Sequence, residues 1–140
     1  MPGRINIGRA VAGGLLAGLV INIGETILNA GLLAPQLESA MSARNLPPIG
    51  GEAIAGFVVL GFALGVMAVW LYAAVRPRFG AGPKTAALAG AVVWFFAYLY
   101  PSASMMIMHM FPRRMLAIGV LWGLFELVIA TIAGASVYQE

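Results

Sequence analysis

Glu25 and Glu126 are acids in places where acids are costly. Each lies well inside a long apolar run, on the one helical face built from small residues. In the first run Gly14, Gly18, Asn22, Glu25 and Asn29 recur at spacings of three or four. In the last run Gly119, Gly123, Glu126 and Ala130 do the same. Residues three and four apart share a helix face. Small residues mark the surfaces where membrane helices approach closely. A carboxyl in hydrocarbon is expensive, so it should turn toward other helices or toward water. Both acids are therefore expected to point inward, toward each other.

Helical rise gives their depth. At about 1.5 Å per residue, Asn22 lies roughly 18 Å and Glu25 roughly 22 Å from the end that carries the termini. Glu126, on a run of opposite direction, comes out at roughly 16 Å, and Tyr98 of the third run at roughly 20 Å. Asn29 and Ser102 lie one turn beyond Glu25 and Tyr98 on the same faces. Glu25, Glu126, Asn22, Asn29, Tyr98 and Ser102 thus form the candidate ligand- or proton-binding set. Gly61 and Gly65 reach similar depths and leave room there. No lysine or arginine lies at that level, so neither acid has a cationic partner. Two chemistries follow. In one, protons are held permanently and the acids, amides and phenol tie helices together. In the other, a proton exchanges with a cation or an organic cationic ligand. Interhelical hydrogen bonds in membranes contribute only about 0.6 kcal/mol on average. Two acids and two amides are a heavy polar burden for that gain, which tilts the reading toward exchange.

The third run ends in Met105-Met106-Ile107-Met108-His109-Met110. Thioethers and an imidazole at helical spacing suit Cu(I), a soft ion. Met106, Met110 and His109 are accordingly a candidate metal set. Met106 and Met110 form an M-x-x-x-M pair that resembles the one in Ctr-type copper transporters. That resemblance spans five residues and implies copper handling. Those transporters are trimers of three-span chains, and this chain departs from them in span count. Methionine is also common packing material. His109 is the only histidine, so one chain cannot build a bis-histidine haem site. The chain has no cysteine, which removes disulfides, thiolate metal sites and cysteine nucleophiles. The cofactor stays unassigned.

The elements that must position these residues follow from composition. Of 140 residues, 61% are hydrophobic and only 9% charged; the mean hydropathy is +0.94. A soluble domain carries roughly a quarter charged residues. Four apolar runs, about 10–33, 53–75, 85–111 and 115–137, each exceed the roughly 20 helical residues that span a bilayer. The expectation is an all-α integral membrane protein, one domain over 1–140, folded as a four-transmembrane-helix bundle. The basic start at Arg4 and Arg9 resembles that of a signal peptide. The run behind it is long, contains Glu25 and lacks a convincing cleavage site, so it reads as a retained first span.

Four spans place both termini on one side, with Arg4, Arg9, Arg76, Arg78 and Lys84. Arg44, Arg113 and Arg114 fall on the other. The excess of positive charge puts both termini in the cytoplasm of a bacterial-type cytoplasmic membrane. Within 34–52, Leu37, Ala40 and Met41 share a face, which suggests a short interfacial helix between spans 1 and 2. Glu52 at the start of the second span reads as a solvated end charge, favoured by the helix dipole. Gly82-Pro83-Lys84-Thr85 superficially looks like a phosphate-binding loop. Pro83 stands where that motif needs glycine, and no strand precedes it. Arg76, Arg78 and Lys84 instead suit anionic lipid headgroups. The partners expected are the lipid bilayer and either a second copy or a larger membrane complex. No nucleic-acid motif is present.

Three function classes remain. A small proton- or cation-coupled transporter or channel component would use the carboxylates directly. The small multidrug-resistance transporters are similar in outline, with four spans and a glutamate in the first. This chain differs in its second glutamate in span four, its long 34–52 connection and its aromatic-rich third span. A structural or accessory subunit of a larger membrane complex would use the small-residue faces. An enzyme is the third class, and no nucleophile–base–orienter set, histidine cluster or cofactor motif supports it.

Overall fold

The computed structural model describes residues 4–139. Residues 1–3 and 140, which the single-domain reading includes, lie outside the described residues. All regular structure among the described residues is helical. Helix α1 (Ile7–Thr26) continues through a π turn (Ile27–Leu32), and α2 (Ala34–Ala43) follows. Next come α3 (Gly51–Phe79) and α4 (Pro83–Trp94). A second π turn (Phe95–Leu99) leads into α5 (Tyr100–Ile107), and α6 (Arg113–Val137) closes the chain. Four runs are long and apolar enough to cross a membrane: Ile7–Leu32, Gly51–Phe79, Pro83–Ile107 and Arg113–Val137. The short helix expected within 34–52 is α2.

The third run stops at Ile107, not at 111. His109 takes a positive φ of 53°. Its N–H donates to the Met106 carbonyl (3.2 Å), and the Met110 N–H donates to that of Met105 (3.0 Å). This left-handed close satisfies carbonyls that a helix end would otherwise orphan. Pro112 two residues on prevents resumption until α6. Asn45 (φ 56°) ends α2 in the same way.

Small residues decide how the helices pack. α1 lies against both α3 and α6, and α4 completes the ring between α3 and α6. Gly65 of α3 fits against the backbone of Gly14 and Gly18, where a β-carbon would have no space. Gly13 and Gly134 meet carbonyl to α-carbon in the same manner on the α1–α6 seam. Such approach brings backbone dipoles and many carbon atoms into contact, the main source of helix association in lipid. Ala17, Ile21, Val69, Leu127 and Ala130 fill the centre. This tight half of the bundle is the one nearer the termini. Tyr138 fastens it: the Asn6 N–H donates to its hydroxyl (3.1 Å), and Tyr72 meets its ring edge-on at 6.0 Å. The Arg76 guanidinium lies 5.4 Å from that ring.

The opposite half is looser. All of Gly51–Leu60, the first ten residues of α3, are exposed. A bond from Asn22 Nδ2 to the Val58 carbonyl (3.2 Å) links this stretch to α1. The bundle therefore opens toward the α2 end.

Candidate functional site

The site forms where the tight half gives way to the open half. Glu25 stands at the end of α1, just before its π turn. Tyr98 lies inside the second π turn, and Glu126 is at mid-length in α6. π turns occur often at functional sites because they re-aim side chains. The cause of the second one is local. Pro101 has no N–H to give the Ala97 carbonyl, and its ring crowds that carbonyl. The chain instead bonds one residue further back, and the Tyr100 N–H donates to the Phe95 carbonyl. In the first π turn the Leu33 N–H likewise donates to the Leu28 carbonyl (2.7 Å).

The Tyr98 hydroxyl lies 2.9 Å from Oε1 of Glu25 and 2.9 Å from Oε1 of Glu126. The outer oxygens are occupied as well. Asn29 Nδ2 donates to Oε2 of Glu25 (2.8 Å) and to the Glu25 carbonyl (3.1 Å). Trp122 Nε1 donates to Oε2 of Glu126 (3.1 Å) and also reaches the Gly24 carbonyl (3.1 Å). One chain of hydrogen bonds thus crosses three spans, from Asn29 through Glu25, Tyr98 and Glu126 to Trp122.

The proton count follows from this geometry. A phenol has one proton and two acceptor lone pairs. It cannot donate to two carboxylates at once. If either acid is ionised, Tyr98 donates to it and the other acid, protonated, donates to the phenol oxygen. If both are protonated, one acid donates to the phenol oxygen and the other accepts the phenol proton on its carbonyl oxygen. Double ionisation leaves one short oxygen–oxygen contact with no proton in it. The arrangement therefore needs at least one carboxyl proton.

Glu126 is buried, 6% exposed, behind Tyr98. Glu25 is half-buried and borders a cavity of about 170 Å³. Asn29, Tyr98 and Ser102 supply the rest of its polar wall, while Leu28, Leu37 and Met115 contribute carbon. The cavity lies on the α2 side. Toward the termini the path is closed by Ile21, Leu127 and the glycine seams.

The chain matches no protein-family model, no curated protein and no solved structure.

Of the six residues singled out from the sequence, five come together: Glu25, Glu126, Asn29, Tyr98 and Ser102. Asn22 does not. Three residues advance a helix by 300°, which leaves Asn22 about 60° round from Glu25. It faces α3, where its Oδ1 occupies the space that a β-carbon on Gly61 would need. The Met/His set is split by the helix end at Ile107. Met106 is half-buried on α5, whereas His109 and Met110 are exposed in the turn that follows. Met106 and Met110 therefore do not share a helical face.

Trp122 was not expected at the site, since an aromatic in an apolar run reads first as a lipid contact. Its signal was its spacing, four residues before Glu126 on one helix face.

Proposed function

We propose that this chain is an integral membrane protein that exchanges a proton for a cation at Glu25, as a small transporter or the ion-handling part of one. The observation that carries the proposal is the single phenol oxygen between two carboxyls, one of which borders a cavity. A net charge inside a bundle of apolar helices is costly. Two states of the site are neutral: both acids protonated, or one acid protonated with a monovalent cation against the other. The cavity gives a cation access to Glu25, and Tyr98 passes the retained proton to whichever acid needs it. Access from one side and closure on the other is the arrangement that alternating exposure requires in one of its states.

Charge placement supports an orientation. Arg76 lies beside Tyr138 at the terminal end, with Arg78 and Lys84 in the same connection. That end is the cytoplasmic one in this proposal. α2 then lies in the outer interface of a bacterial-type cytoplasmic membrane, its Arg44 guanidinium 4.9 Å from the Phe111 ring.

The test is proton release. Purified protein in lipid nanodiscs, in weak buffer, should release protons when the right cation is added. Glu25→Gln should keep its helical content and lose the release. A cation-binding wild-type protein that releases no proton would overturn the exchange reading.

A second reading has one observation in its favour. The exposed Gly51–Leu60 stretch of α3, with open space at Gly56, suits a subunit seated in a larger membrane complex.

A further inference from the structure

The wall of the cavity beside Glu25 is specific in its chemistry. Asn29 uses its NH₂ group on Glu25, through Oε2 and the carbonyl. Its carbonyl oxygen Oδ1 accepts no bond among the described residues. Ser102 likewise makes no hydrogen bond among the described residues, although Ser104, two residues on, turns back to the Tyr100 carbonyl (3.1 Å). Glu25 Oε1 and Oε2 retain unused lone pairs. Three acceptor groups, from α1, its π turn and α5, therefore border one space. The remaining wall is mostly carbon, from Leu28, Leu33, Leu37, Met115 and Leu116.

We propose that the ligand of this site is a small primary alkylammonium ion, bound head-first at Glu25 from the α2 side. The proposal rests on the exchange reading above and narrows it. An –NH₃⁺ group has three N–H donors and no acceptor. Glu25, Asn29 Oδ1 and Ser102 Oγ offer one acceptor group to each. A quaternary ammonium has no N–H and would leave Asn29 and Ser102 unanswered. Hard divalent cations take about six or more oxygens, and this wall is largely carbon. The alkyl tail would lie along Leu28, Leu37 and Met115, where burying each CH₂ is favourable. The cleft is half-open, with about 170 Å³ of free space, which leaves room for a short alkyl chain.

Charge balances in the exchange. The empty, neutral site holds a proton on each acid. The arriving ammonium pairs with the Glu25 carboxylate, and the Glu25 proton leaves to water through the cavity. Tyr98 then donates to Glu25, and the Glu126 acid donates to Tyr98. No bond to carbon forms or breaks, and the site stays neutral.

The experiment compares butylammonium, tetramethylammonium and sodium chlorides on wild-type protein in nanodiscs. It is run in weak buffer near pH 7, well below the reference amine pKa of about 10.4. The amine is then fully charged, so released protons come from the protein. Butylammonium should release about one proton per bound ion, as neutrality of a site among apolar helices requires. At equal concentration tetramethylammonium, which has no N–H donor, and sodium, which has no alkyl tail to lie along the carbon wall, should each give less than about a tenth of that signal. Ser102→Ala should weaken butylammonium binding by about tenfold through loss of one charge-assisted hydrogen bond. Equal signals from butylammonium and tetramethylammonium, or a signal from sodium alone, would overturn the ligand assignment and leave proton exchange standing. Failure of butylammonium to bind to protein with intact helical content would overturn the ligand assignment alone, and binding of any of the three without proton release would overturn both. The wild-type comparison decides the matter even if the Ser102 variant fails to fold.

Discussion

The ring of Tyr98 rests on Gly123. A β-carbon at Gly123 would stand 2.7 Å from Cδ1 and 2.9 Å from Cγ of that ring. The missing side chain on α6 is thus what lets a phenol from the third span reach between the two acids. Gly123→Ala should push the ring away and break at least one of its two carboxyl contacts. Overpacking of this kind costs about 1–3 kcal/mol. Gly119, one turn earlier on α6, has nothing within 4 Å. Gly119→Ala should leave stability unchanged or raise it by up to ~1 kcal/mol, because alanine is the better helix former. Thermal melts of both variants in the same detergent check the contrast; equal melting shifts would show that Gly123 makes no room for Tyr98.

Tyr98→Phe tests the shared proton. The ring and its packing on Gly123 remain, while the oxygen between Glu25 and Glu126 is removed. Each acid then loses its partner for Oε1, and a buried group without a partner costs about 1–3 kcal/mol. The infrared C=O band of a protonated carboxyl should move to higher wavenumber as its hydrogen bond is lost. Glu126→Gln in the same background removes one contributor and assigns the band. An unmoved band in Tyr98→Phe would mean that the phenol does not bond the acids in lipid.

How much of this was legible in sequence depends on which force places each residue. Glu25 and Glu126 stand out because a charge-bearing side chain in an apolar run has few places to go. Tyr98 follows from depth alone, since the rise of a helix is nearly fixed. Asn22 was misplaced because a face built from steps of three and four is wide. Its members diverge by tens of degrees, and α3 captured one edge of it while the acids took the other. Trp122 was hidden by its type: an indole is at home in lipid, and its N–H partner lies on another helix. The turn at His109 was masked by the apolar methionines around it, although histidine takes a positive φ more readily than most side chains and Pro112 stands just beyond. Pro101 did announce a break, yet whether such a break becomes a kink or a π turn depends on packing the sequence does not display.

Orientation offers an independent test of the membrane assignment. Asn6 and Tyr138 are joined at one end of the bundle, and Arg76 is beside them. Arg44 and Phe111 meet at the other. The proposed cytoplasmic placement of the terminal end rests on its positive excess. A fluorescent reporter fused after the last residue should therefore glow, and a periplasm-dependent enzyme reporter inserted within 38–46 should be active. Activity of the periplasmic reporter at the C-terminus instead would invert the orientation and make the cavity open inward.

Pro101 separates the stability of the fold from the working of the site. A proline inside a helix removes a hydrogen bond and costs about 3 kcal/mol relative to alanine. Here it stands next to the π turn Phe95–Leu99, which carries Tyr98. Pro101→Ala supplies an N–H to the Ala97 carbonyl and so favours a regular α turn in place of the π turn. Losing the extra residue of that turn rotates one side of the span against the other by about 100°. α4 (Pro83–Trp94) lies before the change and stays packed on α6, so Tyr98 and Ser102 would swing round together and Tyr98 would turn away from Glu25 and Glu126. The expected outcome is a protein as stable as wild type or more so, with cation-linked proton release lost. Melting temperature and proton release, measured on the same preparation, check it. A Pro101→Ala protein that melts higher and still releases protons fully would show that the site is positioned by α1 and α6 without the proline.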